Sequence, residues 1–232
     1  MAGVGTARLR VLWLQLIAVV EKDVRSELRT RFGITSLLLF VVTSVVLVVF
    51  SVADEALPRP LIAALLWVVM FFTAMTGLGR GFVREEERGT SLLLRLSTTS
   101  TAVLLGKLIV NVVQAVAANM LAVLLFLFFL PRLTVGNIPS LLVVVTTGSI
   151  GLAATLTVVS AIVAKAGSTN ALLPVLSFPV LLPLVMPGTS AMLMALGGYG
   201  VSEMAGDLSI MAGYTAILCV IAWMVFDIIW SD

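Results

Sequence analysis

The 232-residue chain is 60% hydrophobic and 11% charged, with a mean hydropathy of +1.18 and a formal net charge of +2. It has no histidine, and its one cysteine, Cys219, lies in an apolar run, which excludes disulfides, Cys/His zinc sites and histidine general-base chemistry. So small and dispersed a charge does not suggest nucleic-acid binding, and the apolar runs are too long and uniform for the ~10-residue alternating strands of a barrel, which leaves an all-α membrane protein.

Residues 1–33 form an N-terminal unit of their own. Leu12, Leu16, Val20, Val24 and Leu28 recur every fourth residue, Ile17 widens the stripe, and Lys22, Arg25 and Arg29 occupy another face. The pattern predicts an amphipathic helix over 9–32, lying in the inner membrane interface. The short apolar run 11–20 passes straight into the charged residues 21–23 without a small-residue cleavage site, so no signal peptide is expected there.

Residues 34–232 read as one transmembrane domain. Crossing the hydrocarbon takes about 20 apolar residues. Six segments qualify, at 34–53, 60–79, 102–130, 139–164, 170–187 and 208–230. With the N-terminus inside, the inner segments hold twelve Lys/Arg and the outer ones hold two, Arg59 and Arg132. The excess of basic residues on one side therefore places both termini in the cytoplasm. Tyr199 and Tyr214 then fall at the outer ends of the fifth and sixth spans and Trp230 at the inner end of the sixth, as aromatic-belt residues.

The inner loop at 80–101 concentrates charge around Arg84-Glu85-Glu86-Glu87-Arg88. Gly89 is expected to end one helix, and Thr90 or Ser91 to cap a second whose Leu92, Leu93 and Leu96 side packs inward. Such a helix–Gly–helix knob suits docking to a cytoplasmic partner; the plainer alternative is a solvated loop that only sets topology. Nucleotide chemistry within the chain is not expected. A P-loop needs Gly-x-x-x-x-Gly-Lys-Ser/Thr, whereas the only Gly-Lys pair, Gly106-Lys107, is followed by Leu108 and preceded at 101 by threonine.

Within the spans, Lys107, Asn111 and Gln114 share a helix face by i, i+4, i+7 spacing. They form either modest interhelical hydrogen bonds or a subunit contact or substrate path, and Lys107 can snorkel to the inner interface. Gly148, Gly151, Ala153 and Ala154 offer small-residue packing. Pro174, Pro179, Pro183 and Pro187 lie in a single apolar run, which is either a hinge-bearing helix or a rigid kinked one. Met186, Met192, Met194, Met204 and Tyr199 cluster near an outer loop and are expected to pack rather than to ligate haem. No catalytic, metal or covalent cofactor site is expected.

The stretch EEERGTSLLLRLS is similar to the acidic–basic–Gly–Thr–x–x–x–Leu signature of type-2 ABC permeases. Together with LLPVLSFPVLLPLVMP it resembles the B-type membrane permease of the cytochrome c maturation (haem exporter) ABC system. The likeness covers nearly the whole chain: the amphipathic N-terminus, the acidic loop, Gly106-Lys107 and the proline-rich fifth span. Residues 97–102, STTSTA, differ from relatives that often carry prolines there.

The resemblance implies that Arg84, Glu85, Glu86, Glu87, Arg88, Gly89, Thr90, Ser91 and Leu92 form a coupling segment seated in a separate ABC ATPase subunit. It further implies a permease for haem export in the bacterial cytoplasmic membrane. ATP would act only through the ATPase, and haem would be cargo delivered, or released on a loaded chaperone, at the outer face. The implied partners are that ATPase, a haem-handling membrane subunit, the haem chaperone, a second copy of this chain or a related subunit, and membrane lipid. The rival readings are a type-2 ABC permease for lipid, glycan or drug, and a scaffold or intramembrane enzyme. An enzyme would need a catalytic set, and Asp207 and Asp227 are not paired in sequence.

Overall fold

In hydrocarbon no water is present to satisfy a peptide group, so each apolar run closes its own hydrogen bonds as a helix. The computed structural model describes the chain except residues 1, 31, 53–56, 79–81, 83–84, 86–88, 131–134, 166–171 and 232, and the backbone alone at 2–9, 30, 32, 52, 91–92, 95 and 227–231. Among the described residues the long helical stretches are α1 (Ala2–Thr30), α2 (Phe32–Val52), α3 (Arg59–Leu78), α5 (Ser100–Phe129), α6 (Ile138–Lys165), α7 (Leu172–Gly197) and α8 (Ala205–Ser231), with the short α4 (Ser91–Ser97) before α5. Six of them, α2, α3 and α5–α8, are long and apolar enough to cross a membrane.

The most buried span, α6, sits in the middle and packs against α3, α5, α7 and α8. Its small residues allow this: Gly148 faces Trp67 and Met70 of α3, and Gly151 faces Leu184 of α7 and Thr215 of α8. Ala153 and Ala154 are buried beside them. The core around α6 includes Leu66, Met70, Phe126, Leu152, Leu184 and Met192. Most of α2 and α8 faces outward, where a bilayer would cover them.

The fifth span is longer than expected. Pro187-Gly188 reads as a stop in water, which sets the expected end at 187, yet α7 continues through it to Gly197. Helix-breaking residues persist in membranes where neighbours hold the helix. Gly188 serves packing here, lying against the Trp67 indole with no room for a side chain. Pro179, Pro183 and Pro187 fall inside the helix, spaced by four and so on one side. Pro174 lies in the first turn, where its missing amide leaves no bond unmade, so the kinking argument does not extend to it.

Tyr214 likewise departs from expectation. It is half-buried, a third of the way into α8, and its hydroxyl donates to the Val180 carbonyl on the proline-bearing helix. Tyr199, by contrast, follows the end of α7 and is exposed. Met192 and Met204 are core residues, Met186 is exposed, and Cys219 is half-buried rather than enclosed.

The N-terminal helix does more than lie on a surface. Leu16 and Val19 of α1 are buried against α5, while Trp13, Ile17, Val24 and Leu28 remain exposed. Gly106 makes this contact: a Cβ there would sit 2.7 Å from Val19 Cγ1, so a side chain would push α1 away.

Candidate coupling site

The charged loop between α3 and α5 turns at Gly89, whose φ of +66° is the left-handed conformation that glycine adopts at least cost. Across that turn the Thr90 amide donates to the Glu85 carbonyl at 3.0 Å, the long closing bond of a Schellman helix end. Thr90 occupies the cap position of α4 but makes no side-chain cap bond. Its hydroxyl reaches back to the Glu85 carbonyl at 3.4 Å, so it finishes the preceding turn instead of starting the next.

Helix α4 also faces differently from expectation. Leu94 is 8% exposed and joins Phe82, Val103, Leu104 and Phe226 in a small core at this end of the bundle. Leu93 and Leu96, expected to point inward, are 70% and 80% exposed. The leucine run alone cannot tell which third of a short helix turns inward; the packing of Leu94 decides it.

The exit into α5 is made without proline. Thr98 and Thr99 are both extended, with ψ of 155° and 147°, and side-chain bonds hold the corner. The Thr98 hydroxyl donates to the Leu94 carbonyl at 2.6 Å. Gln15 of α1 accepts from the Thr99 amide at 3.3 Å and from its hydroxyl at 2.9 Å.

Lys107 lies one turn beyond Val103 on α5 and is 3% exposed. A charge this enclosed needs countercharges, and it has them in an alternating ring. Its ammonium is 3.1 Å from Glu85 and 3.3 Å from Asp23 of α1. Lys22 of α1 likewise pairs with Asp23, at 3.1 Å, and with Glu85. Two ammoniums and two carboxylates therefore close a neutral ring that joins α1, Glu85 and α5. The Phe82 ring adds a face to Lys107, with its centroid 4.9 Å away.

Burial opposes the charged form of Lys22, but hydrogen bonding and attraction from Glu85 and Asp23 together outweigh it and raise its pKa above 10.5. Around the ring opens a cavity of about 350 Å³, bounded by α1, the end of α3, α4 and α5 and reaching Asn111 and Gln114.

Above the ring, polar side chains join α5 to α6. Asn111 donates to the Thr157 hydroxyl at 2.8 Å, which donates onward to the Ala153 carbonyl at 2.6 Å. Asn119 repeats the arrangement two turns later, through the Ser149 hydroxyl to the Val145 carbonyl. Gln114 is half-buried and lines the cavity. The i, i+4, i+7 face thus splits between the ring, a helix–helix bond and the cavity wall.

Of the nine residues assigned to the coupling segment, Arg84, Glu86, Glu87 and Arg88 lie outside the described residues, and Ser91 and Leu92 are described in backbone only. Glu85 turns toward Lys22 and Lys107, with its side chain 13% exposed. Sequence reasoning missed Asp23, Gln15, Phe82 and Leu94. The one available signal was that a lysine within a span requires a carboxylate.

Six apolar spans, a surface helix packed on the third of them and a shaped polar loop between the second and third define a multi-pass helical membrane protein. The chain matches the family model described as CcmB protein over residues 14–227, and it belongs to that family. The family implies the role of haem-exporter ABC permease in cytochrome c maturation. No curated protein gives a significant match.

Proposed function

We propose that this chain is the membrane component through which a separate ABC ATPase drives haem export for cytochrome c assembly, with both termini in the cytoplasm and the spans in the bacterial cytoplasmic membrane. The basic residues support that orientation, since inversion would put twelve of the fourteen Lys/Arg outside.

The observation that carries the reading is the outward face of α4. Leu93 and Leu96 are three residues apart, so they share a helix face. They project from a short helix outside the candidate spans, while Leu94 fixes the same helix to the bundle. Paired apolar anchors on a rigid base suit a groove in a partner. The chain lacks a P-loop, so the partner that supplies ATP energy is another protein.

Haem enters as cargo. Without histidine, the chain leaves axial ligation to a companion membrane protein and to the haem chaperone. Two such permeases, or this one with a related subunit, would flank the path. ATP-driven displacement of α4 would reach α5 and alter the outer face, delivering haem or freeing the loaded chaperone.

Complementation tests this. In a bacterium deleted for its own homologue, the wild-type chain should restore cytochromes carrying covalent haem, visible as haem-stained bands. The Leu93→Asp/Leu96→Asp variant should insert in the membrane yet restore none. Normal cytochromes in the uncomplemented deletion strain would refute the cargo.

A further inference from the structure

We infer that Lys107 is a positioning residue that transmits movement of Glu85 to α5 and α1 through the Lys22–Asp23–Lys107–Glu85 ring. This rests on the coupling function proposed above. The backbone connects α4 to α5 through Thr98 and Thr99, an extended corner held by the Thr98–Leu94 and Gln15–Thr99 bonds and by the shared core of Leu94, Val103 and Leu104. The ring bypasses that corner. It joins Glu85, before the Gly89 turn, directly to α5 eight residues into the helix.

Ring geometry also gives Lys107 a second resting partner. If Glu85 moves away with the segment, Lys107 keeps Asp23 at 3.3 Å and Lys22 keeps Asp23 at 3.1 Å. Withdrawal would take one countercharge from both lysines at once, so attraction draws Lys107, and α5 with it, after Glu85. That movement shifts α5 at its close contact with α1, where Gly106 lies against Val19. The neighbouring cavity of about 350 Å³ leaves room for that movement on the side of Asn111 and Gln114. A lysine serving only to fix topology would lie in the headgroup region facing water, not under Phe82 with two carboxylates.

The test uses the whole complex with its ATPase, and Lys107→Met beside Lys107→Arg. Methionine keeps the unbranched stem of the side chain and removes the ammonium; arginine keeps the charge. With Lys107→Met, co-purification of the ATPase and ATP turnover should persist, while haem-bearing cytochrome c formed per ATP hydrolysed should fall by about tenfold, within the usual range of coupling free energies. Lys107→Arg should restore most of it. Unchanged yield per ATP in Lys107→Met, or an arginine variant as defective as the methionine one, overturns the inference.

Should Lys107→Met fail to accumulate, Glu85→Gln breaks the ring from the loop side and must give the same split. If even the wild-type chain recovers no ATPase, the docking reading fails by itself. The ring is then read in the isolated chain by trypsin. Cleavage among Arg80, Arg84 and Arg88 should be several-fold faster in Lys107→Met than in wild type or Lys107→Arg, and equal rates contradict the role given to Lys107.

Discussion

Isolated charges and amides are expensive in a membrane, so their partners reveal why they are kept. Lys107 is held by two carboxylates, and Asn111 and Asn119 each reach a hydroxyl on α6. Replacing Asn111 by leucine should lower stability in detergent by about 1 kcal/mol, the usual worth of an interhelical hydrogen bond in membranes. A thermal unfolding series including Asn119→Leu as its counterpart measures this. The pH behaviour follows from Lys22. Its folded pKa is raised, so its stabilising contribution is complete below 10.5 and is lost only as pH rises through the higher folded value. Trypsin sensitivity of the loop should stay constant with respect to Lys22 up to about pH 9 and increase in stronger alkali. The spacing of Lys107, Asn111 and Gln114 was legible as a shared face. Their partners were not, because Asp23 and Thr157 approach from 84 and 46 residues away and no periodicity encodes such contacts.

The spans, as elements, were legible to within a few residues wherever apolar runs ended in charge or loop residues. The exception is α7, where the stop signals of soluble helices, Pro187 and Gly188, are overridden by Trp67 and the surrounding helices. α1 was legible as amphipathic, but its stripe is divided between protein and exterior, since Leu16 is buried against α5 together with Val19 from outside the stripe, while Val24 and Leu28 are exposed. Period alone cannot show that split; Gly106 supplies the space that causes it. Gly106→Leu should therefore overpack the α1–α5 contact at a cost of about 1–3 kcal/mol. The direct readout is maleimide labelling of Leu16→Cys, slow in an otherwise wild-type chain and several-fold faster when Gly106 is also leucine. Gly213→Leu on α8, where a Cβ meets nothing within 4 Å, is the control and should change neither labelling nor stability.

For the whole molecule, composition set the class and charge asymmetry set the expected orientation, whereas the central place of α6 came from packing. Nothing in its hydropathy sets it apart from α5; the small residues that meet Trp67, Leu184 and Thr215 do. The acidic run was the most visible feature of the loop, yet its described member, Glu85, faces inward to lysines. The outward face of α4 belongs to Leu93 and Leu96. The proposed coupling to an ATPase rests on that reversal, and site-specific photocrosslinking probes it at the residues concerned. A photoreactive phenylalanine analogue is placed in turn at Leu93, Leu94, Leu96 and the exposed Phe50 of α2, in cells containing the ABC ATPase. Docking through the outward face of α4 requires crosslinks to the ATPase from positions 93 and 96 and none from 94 or 50. Crosslinks from 94 but not from 93 or 96, or none from any of the three α4 positions, would rule that docking out.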